Sequence, residues 1–304
     1  MAEALKRMQQ KAEEALTEHN YVVAFDILSK LYLQKKTARN NYLLVQALAG
    51  QGKYGEAFTV GQEFLTSYLT ENARFSDLIH VAVCARKGMW VEKILVQIKA
   101  YLKPEESRLF YGRLAGEMEN FYRTKQQEIS ALKRRFDYLA AVSPIEQRAI
   151  VKEAEQLQKG DFVEGACLAV KDPNVHPLVR SSLLNDLRCL DWADEIMYQP
   201  FIGKQISLVP GDLQALEETR LFKEYTVQIE DNTRSPQESQ QLLNELTLKL
   251  MLLYPQFEVI YQQPEVWYHI LLNDQESKNL DQRFQTLAGQ LEASVLEMRP
   301  DQKR

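Results

Sequence analysis

The residues of this 304-residue chain whose side chains could do chemistry are four histidines, three cysteines and a few adjacent carboxylates. Glu265 and His269 stand four apart, one helical turn, and could offer a carboxylate and an imidazole to one metal ion. A metal needs a third ligand and the sequence signposts none, so a hydrogen bond is the ordinary reading. His19, His80 and His176 form no HxH or HExxH pattern. His176, between Val175 and Pro177 at a helix entrance, reads as a capping or packing residue. Cys84, Cys167 and Cys189 are far apart, odd in number and without a CxxC pair, which indicates neither a disulfide framework nor a zinc site. They read as small core residues, with no histidine nearby in sequence, so a Cys–His dyad would have to be assembled in three dimensions. The pairs Glu13-Glu14, Glu105-Glu106 and Glu217-Glu218 do not converge, because neighbours on a helix point about 100° apart. GxGxxG, GxxxxGK[ST] and GxSxG are absent. The reading is a non-enzyme without metal or cofactor.

Composition narrows the partners. Apolar residues make up 45% of the chain and charged residues 26%, enough for a large core. The net charge of −5 lacks the basic surplus that phosphate-driven nucleic-acid binding needs. The local runs Lys35–Arg39 and Lys133–Arg135 read as solvated helix faces. The first sixteen residues are amphipathic and charged, unlike a secretory signal, and the longest apolar runs, such as 250–254, are far too short to span a membrane. A reduced cytoplasm is the expected location.

The elements that would position any site are helices. Twelve glycines and ten prolines punctuate a chain dominated by 3.6-residue periodicity. Helices are predicted over 2–17, 21–34, 40–50, 54–69, 75–86 and 90–102. Pro104–Ala141 forms either one long helix or two broken near Arg123–Gln127. Ser143, Pro144 and Glu146 spell a capping box for a helix to Lys159, followed by helices at 161–171 and from Pro177. Residues 195–209 alternate apolar and polar around Ile202-Gly203-Lys204 and predict the single β-hairpin, its first strand kept short by Pro200. Helices resume at 211–229, 236–253, 264–272 and 279–298, the last carrying Leu280, Phe284, Leu287, Leu291 and Met298 as a cap. The fold class is all-α with one small inserted hairpin, divided into residues 1–141 and 142–304.

A triplet recurs within this pattern. Gly52, Tyr54 and Ala57 match His19, Tyr21 and Ala24, and Gly88, Trp90 and Lys93, at spacings of 33 and 36; Gly160, Phe162 and Gly165 supply a shorter fourth match. A turn residue, an aromatic plug and a small residue at a period near 34 resemble the tetratricopeptide repeat. The likeness covers residues 1–102 and, more briefly, 146–171. The stretch 146–270, with GDFVEGA, DPNVHPLV and LLYP, also resembles tetratricopeptide-like cytoplasmic proteins of Gram-positive bacteria. The resemblance implies a helical-hairpin solenoid whose ligand lies against the first helix of each pair. With His19, Gly52 and Gly88 as the turn position, the groove positions are Lys6, Gln9 and Glu13, then Arg39, Tyr42 and Gln46, then Phe75, Leu78 and Arg86. Gln46 would meet backbone amides, and Arg39 or Lys6 carboxylates. In the 146–160 helix the corresponding Ile150, Ala154 and Leu157 are apolar, so the groove is expected to stop there.

The leading expectation is a non-catalytic scaffold or adaptor for a protein or peptide, a second copy of the chain among the partners considered. The alternatives are a peptide-sensing or RNA-linked regulatory repeat protein, for whose N-terminal output domain the sequence leaves no room, and an enzyme with residues gathered from distant helices.

Overall fold

The computed structural model describes residues 2–233, 235–272 and 282–298. It is helical-repeat-like, all-α apart from one two-stranded antiparallel sheet, and compatible with a solenoid. The chain divides into two compact units: Met1–Ile129 with Glu155–Gln158, and Ser130–Ala154 with Lys159–Arg304. Among the described residues no helix is long and apolar enough to cross a membrane.

The first unit runs α1 (Ala2–Thr17), α2 (Tyr21–Gln34), α3 (Ala38–Gly50), α4 (Tyr54–Gln62), α5 (Leu65–Leu69), α6 (Asn72–Cys84), α7 (Gly88–Ile98) and α8 (Pro104–Thr124). Helices α1 to α4 pack in sequence, α4 on α6, α6 on α7 and α7 on α8; α1 also touches α3, and α6 touches α8. Three of these helices end alike. The left-handed residue is His19 (φ 57°), Gly52 (φ 74°) or Arg86 (φ 64°). The next amide bonds back over five residues in each case: Asn20 N to Ala15 O at 2.8 Å, Lys53 N to Leu48 O at 3.0 Å and Lys87 N to Ala82 O at 2.8 Å. This is the Schellman closure, which satisfies orphan carbonyls while reversing the chain. Glycine adopts it freely at Gly52, whereas His19 and Arg86 hold it against a Cβ penalty of roughly 1–2 kcal/mol.

The turn position therefore recurs at 33 and 34 residues, and the third copy starts at Arg86, not Gly88. Shifted by two, the small-residue position falls on Val91, fully buried like Ala24 and Ala57, and Lys93 leaves the comparison. Gly88 takes the place of the aromatics Tyr21 and Tyr54 for a packing reason. A Cβ there would meet Met118 Sδ at 2.5 Å, and Glu155 O, which accepts from Met89 N at 2.9 Å, is close by. In the presumed fourth copy Gly160 lies inside a helix, not in a turn.

The predicted helix 54–69 breaks at Glu63–Phe64. The break turns Tyr68 inward, where its hydroxyl donates to Asn41 Oδ1 at 2.9 Å. Asn41, wholly buried, donates in turn to Val60 O at 2.6 Å and to Tyr32 OH at 3.0 Å. One amide thus ties α2, α3, α4 and α5 together inside an aliphatic core. The region after Pro104 is two helices: α8 ends at Thr124 with Lys125 as its cap, and α9 (Gln126–Asp137) follows.

The second unit contains α10 (Pro144–Ala154), α11 (Lys159–Lys171), α12 (Pro177–Cys189), strands β1 (Ile196–Tyr198) and β2 (Ile206–Leu208), then α13 (Arg220–Asn232), α14 (Pro236–Leu253), α15 (Glu258–Tyr261), α16 (Pro264–Leu272) and α17 (Gln282–Leu296). Ser143 and Glu146 close the expected capping box: Ser143 N donates to Glu146 Oε2 at 3.1 Å and Glu146 N to Ser143 Oγ at 3.4 Å. The hairpin pairs Ile196 with Leu208 and Tyr198 with Ile206 across a turn holding Gly203 at φ 93°. Tyr198 is buried and donates to Tyr254 O at 3.0 Å, which anchors a sheet too small to stand alone. The helix expected over 211–229 begins only at Arg220, because Thr219 caps it by accepting from Phe222 N; the preceding residues make two 3₁₀ turns. In the last helix Phe284 meets Trp267 edge-on, and Leu291 is buried; Leu280 lies outside the described residues.

Central to this unit is α12, which packs on α10, α11, α14 and α17. Its Arg180 is only 4% exposed and donates to Gln199 O at 2.8 Å, Pro173 O at 3.2 Å, Asp172 O at 3.3 Å and Val175 O. Burial lowers the guanidinium's pKa, and these carbonyls replace the lost water. His176 caps α12 by accepting from Leu178 N at 3.2 Å, as its sequence position suggests. Lys249 on α14, also buried, reaches Glu245 at 2.6 Å and Glu292 on α17 at 3.1 Å.

Candidate functional site

Helices α1, α3, α6 and α8 are joined side to side by polar groups. Each junction centres on a carboxylate. Between α1 and α3, Glu13 Oε1 accepts from Gln9 Nε2 at 3.0 Å and from Arg39 Nε and Nη2 at 3.1 and 2.7 Å. Between α3 and α6, Gln46 Nε2 donates to Tyr42 OH at 2.9 Å, and Tyr42 OH donates to Asp77 Oδ2 at 2.6 Å. The Arg74 guanidinium lies 5.0 Å from the Tyr42 ring centroid. Burial, then Asp77, pushes the Tyr42 hydroxyl's pKa far up, so it stays a donor to that carboxylate. Between α6 and α8, His80 Nδ1 meets Glu117 Oε2 at 2.9 Å, and Arg113 Nη2 meets Glu117 Oε1 at 2.9 Å.

The junction of α3 and α6 opens into a groove of about 300 Å³, lined among others by Tyr42, Gln46, Asp77 and His80 over Val45 and Val81. Of the sequence candidates, Tyr42 and Gln46 line it. Glu13, Gln9 and Arg39 form the neighbouring junction, and Lys6 is exposed one turn before Gln9 on α1. Arg39 is already paired with Glu13, an exposed contact worth little and readily exchanged.

The third set does not hold as placed. Phe75 and Leu78 are fully buried, Phe75 stacking edge-on against Phe110 at 4.8 Å. Arg86 sits in the turn, where it donates to Gln156 at 3.2 Å and Glu128 at 3.1 Å. With the turn corrected to Arg86, the groove positions become Ala73, Ser76 and His80. The signal for His80 was the left-handed turn at Arg86, hidden by the more conspicuous Gly88. His80 and Cys84, four apart on α6, also stand in contact, Sγ lying 3.8 Å from Nε2. That spacing is one helical turn, so the reading that the cysteines have no histidine nearby in sequence is wrong for Cys84.

Beyond this face, Ile150, Ala154 and Leu157 are buried, so those positions offer no surface. The basic runs are countered by neighbours: Lys36 by Glu63, Lys133 by Asp161 and Glu164, and Arg135 by Glu153. Among the described residues no group of three or more His, Cys, Asp or Glu side chains could hold a metal ion.

Fold and geometry define a helical-repeat-like chain with a polar seam along consecutive first helices. Comparison with protein-family models, with curated proteins and with solved structures gives no match for this chain.

Proposed function

We propose that this chain is a non-catalytic scaffold or adaptor that binds an extended peptide or protein segment across α1, α3 and α6. On this reading its helix pairs are tetratricopeptide-like and it works in the cytoplasm. The observation that carries the proposal is the groove beside Tyr42, Gln46 and Asp77. The Gln46 amide nitrogen and the Tyr42 hydroxyl proton are committed to one another's network. Gln46 Oε1 and Asp77 Oδ1 remain as acceptors, a pattern suited to peptide N–H groups. Arg39, released from Glu13, would meet a ligand carboxylate.

The test is selection of peptides from a displayed random library, followed by titration of the winners. Replacing Arg39, Tyr42 and Gln46 together by alanine should weaken binding at least about tenfold, or about 1.4 kcal/mol. Equal affinity in a variant of unchanged helical content, or a library that yields no binder, would contradict the proposal.

A further inference from the structure

We propose that Cys84 is a reactive thiol, faced by the His80 imidazole and positioned for mixed-disulfide formation with small disulfides. This assignment does not depend on what the groove binds. The geometry is that of a nucleophile, an imidazole beside it and a carboxylate that orients the imidazole. Cys84 Sγ lies 3.8 Å from His80 Nε2 and 4.0 Å from Nδ1. Nδ1 is held at 2.9 Å by Glu117 Oε2, and the other oxygen of that carboxylate is fixed by Arg113 at 2.9 Å. The Tyr54 ring stands edge-on to the imidazole, 5.8 Å between centroids. His80 lines the groove, and Cys84, one turn further along α6, is half-buried.

The surroundings favour a charged imidazole. Contact with the sulfur, foremost, and the Glu117 hydrogen bond raise the His80 pKa to about 9 against the opposing effect of burial. The charged and titratable groups around the pair are Asp77 on α6 itself, Tyr54 from α4, and Glu117 and Arg113 from α8. Burial, then Cys84, raises the Tyr54 pKa, so Tyr54 adds no negative charge at neutral pH. The other cysteines lack this arrangement. Burial pushes the Cys167 thiol up, and Cys189 has a guanidinium, that of Arg188 at 3.3 Å, where Cys84 has the imidazole.

The step balances without a further reagent. The Cys84 proton leaves to water, and the charged His80 ring faces the thiolate. The thiolate attacks one sulfur of a disulfide R–S–S–R, the new S–S bond forms as the old one breaks, and R–S⁻ leaves and is protonated. A second thiol reverses it.

The experiment is a time course of the native protein with an aromatic disulfide probe at neutral pH, each cysteine peptide being quantified by mass spectrometry. Cys84 should react at least about tenfold faster than Cys167. His80→Gln should slow Cys84 about tenfold while leaving the Cys189 rate unchanged, and Glu117→Gln, which reorients the imidazole, should slow it about threefold. Helical content and melting temperature are measured for both variants, and if one fails to fold the other decides. A Cys84 rate no faster than that of Cys167 in the intact protein overturns the assignment, as does a Cys84 rate unmoved in a folded variant.

Discussion

The two units keep their polar groups in different places. In the first, the buried polar groups are neutral amides, Asn40, Asn41 and Gln156, and the charges lie along a face: Glu13 with Arg39, Asp77 with Tyr42, Glu117 with His80 and Arg113. In the second, cations are sunk in the core: Arg180 among backbone carbonyls and Lys249 between two glutamates. The difference follows from repetition. Stacked pairs that reuse one turn geometry can be held by aliphatic contacts alone, leaving the shared face free for polar side chains. The second unit joins α11 to a hairpin and α12 to α14 and α17, elements with no common period, and uses buried charge to fix how they meet. The two histidines embody the contrast. Sulfur contact and Glu117 raise the pKa of His80, whereas burial lowers that of His176, whose Nε2 lies 3.6 Å from Glu297.

The sharpest way to break this comparison is Arg180→Met. It leaves several buried carbonyls without a donor and should destabilise the protein by about 4 kcal/mol in a denaturant titration. An effect under about 1 kcal/mol would mean that Arg180 fills space and does not clamp the loop. Next is Asn41→Leu, which strands Tyr68 OH and Val60 O. A loss of about 3 kcal/mol is expected, and a neutral result would deny the Asn41 amide its part in holding α3, α4 and α5 together. Ala57→Leu forces branched bulk between α3 and α4 at a fully buried position and should cost about 2 kcal/mol; a wild-type midpoint would place residue 57 in solvent.

The smallest effects are opposite in sign. Because the folded pKa of His80 lies above its ordinary 6.5, its contribution is fully present below about pH 6.5 and lost as pH rises towards 9. Because the folded pKa of His176 lies below 6.5, the native state binds fewer protons there, and its contribution falls as pH drops beneath 6.5. The melting-temperature difference between wild type and His80→Gln should shrink from pH 6.5 to 9. That between wild type and His176→Gln should shrink from pH 7 to 5. Parallel trends would erase the electrostatic contrast.

Legibility in the sequence tracks the same division. Local signals carried the helices, the Ser143–Glu146 box, the hairpin around Gly203 and the repeat through Ala57, because each depends on residues a few positions apart. Tyr42 and Gln46 fell on the groove because the first two turns, His19 and Gly52, are spaced as the repeat requires. The third turn misled because glycine is the usual left-handed residue and Arg86 is not. Gly88 is required instead by Met118 and Glu155, 30 and 67 residues away. The clamp around Arg180 and the pairing of His80 with Glu117 were illegible for the same reason: the partner is set by tertiary packing.

The claim that the first helices share a binding face is tested most directly by site-specific photo-crosslinking of a library-selected peptide. A benzophenone side chain is placed at Gln9 or Ser76 on that face, and at Val22 or Leu33, exposed on α2. The account predicts crosslinks from positions 9 and 76 and none from 22 and 33. Crosslinks from α2 with none from α1 and α6 would contradict it.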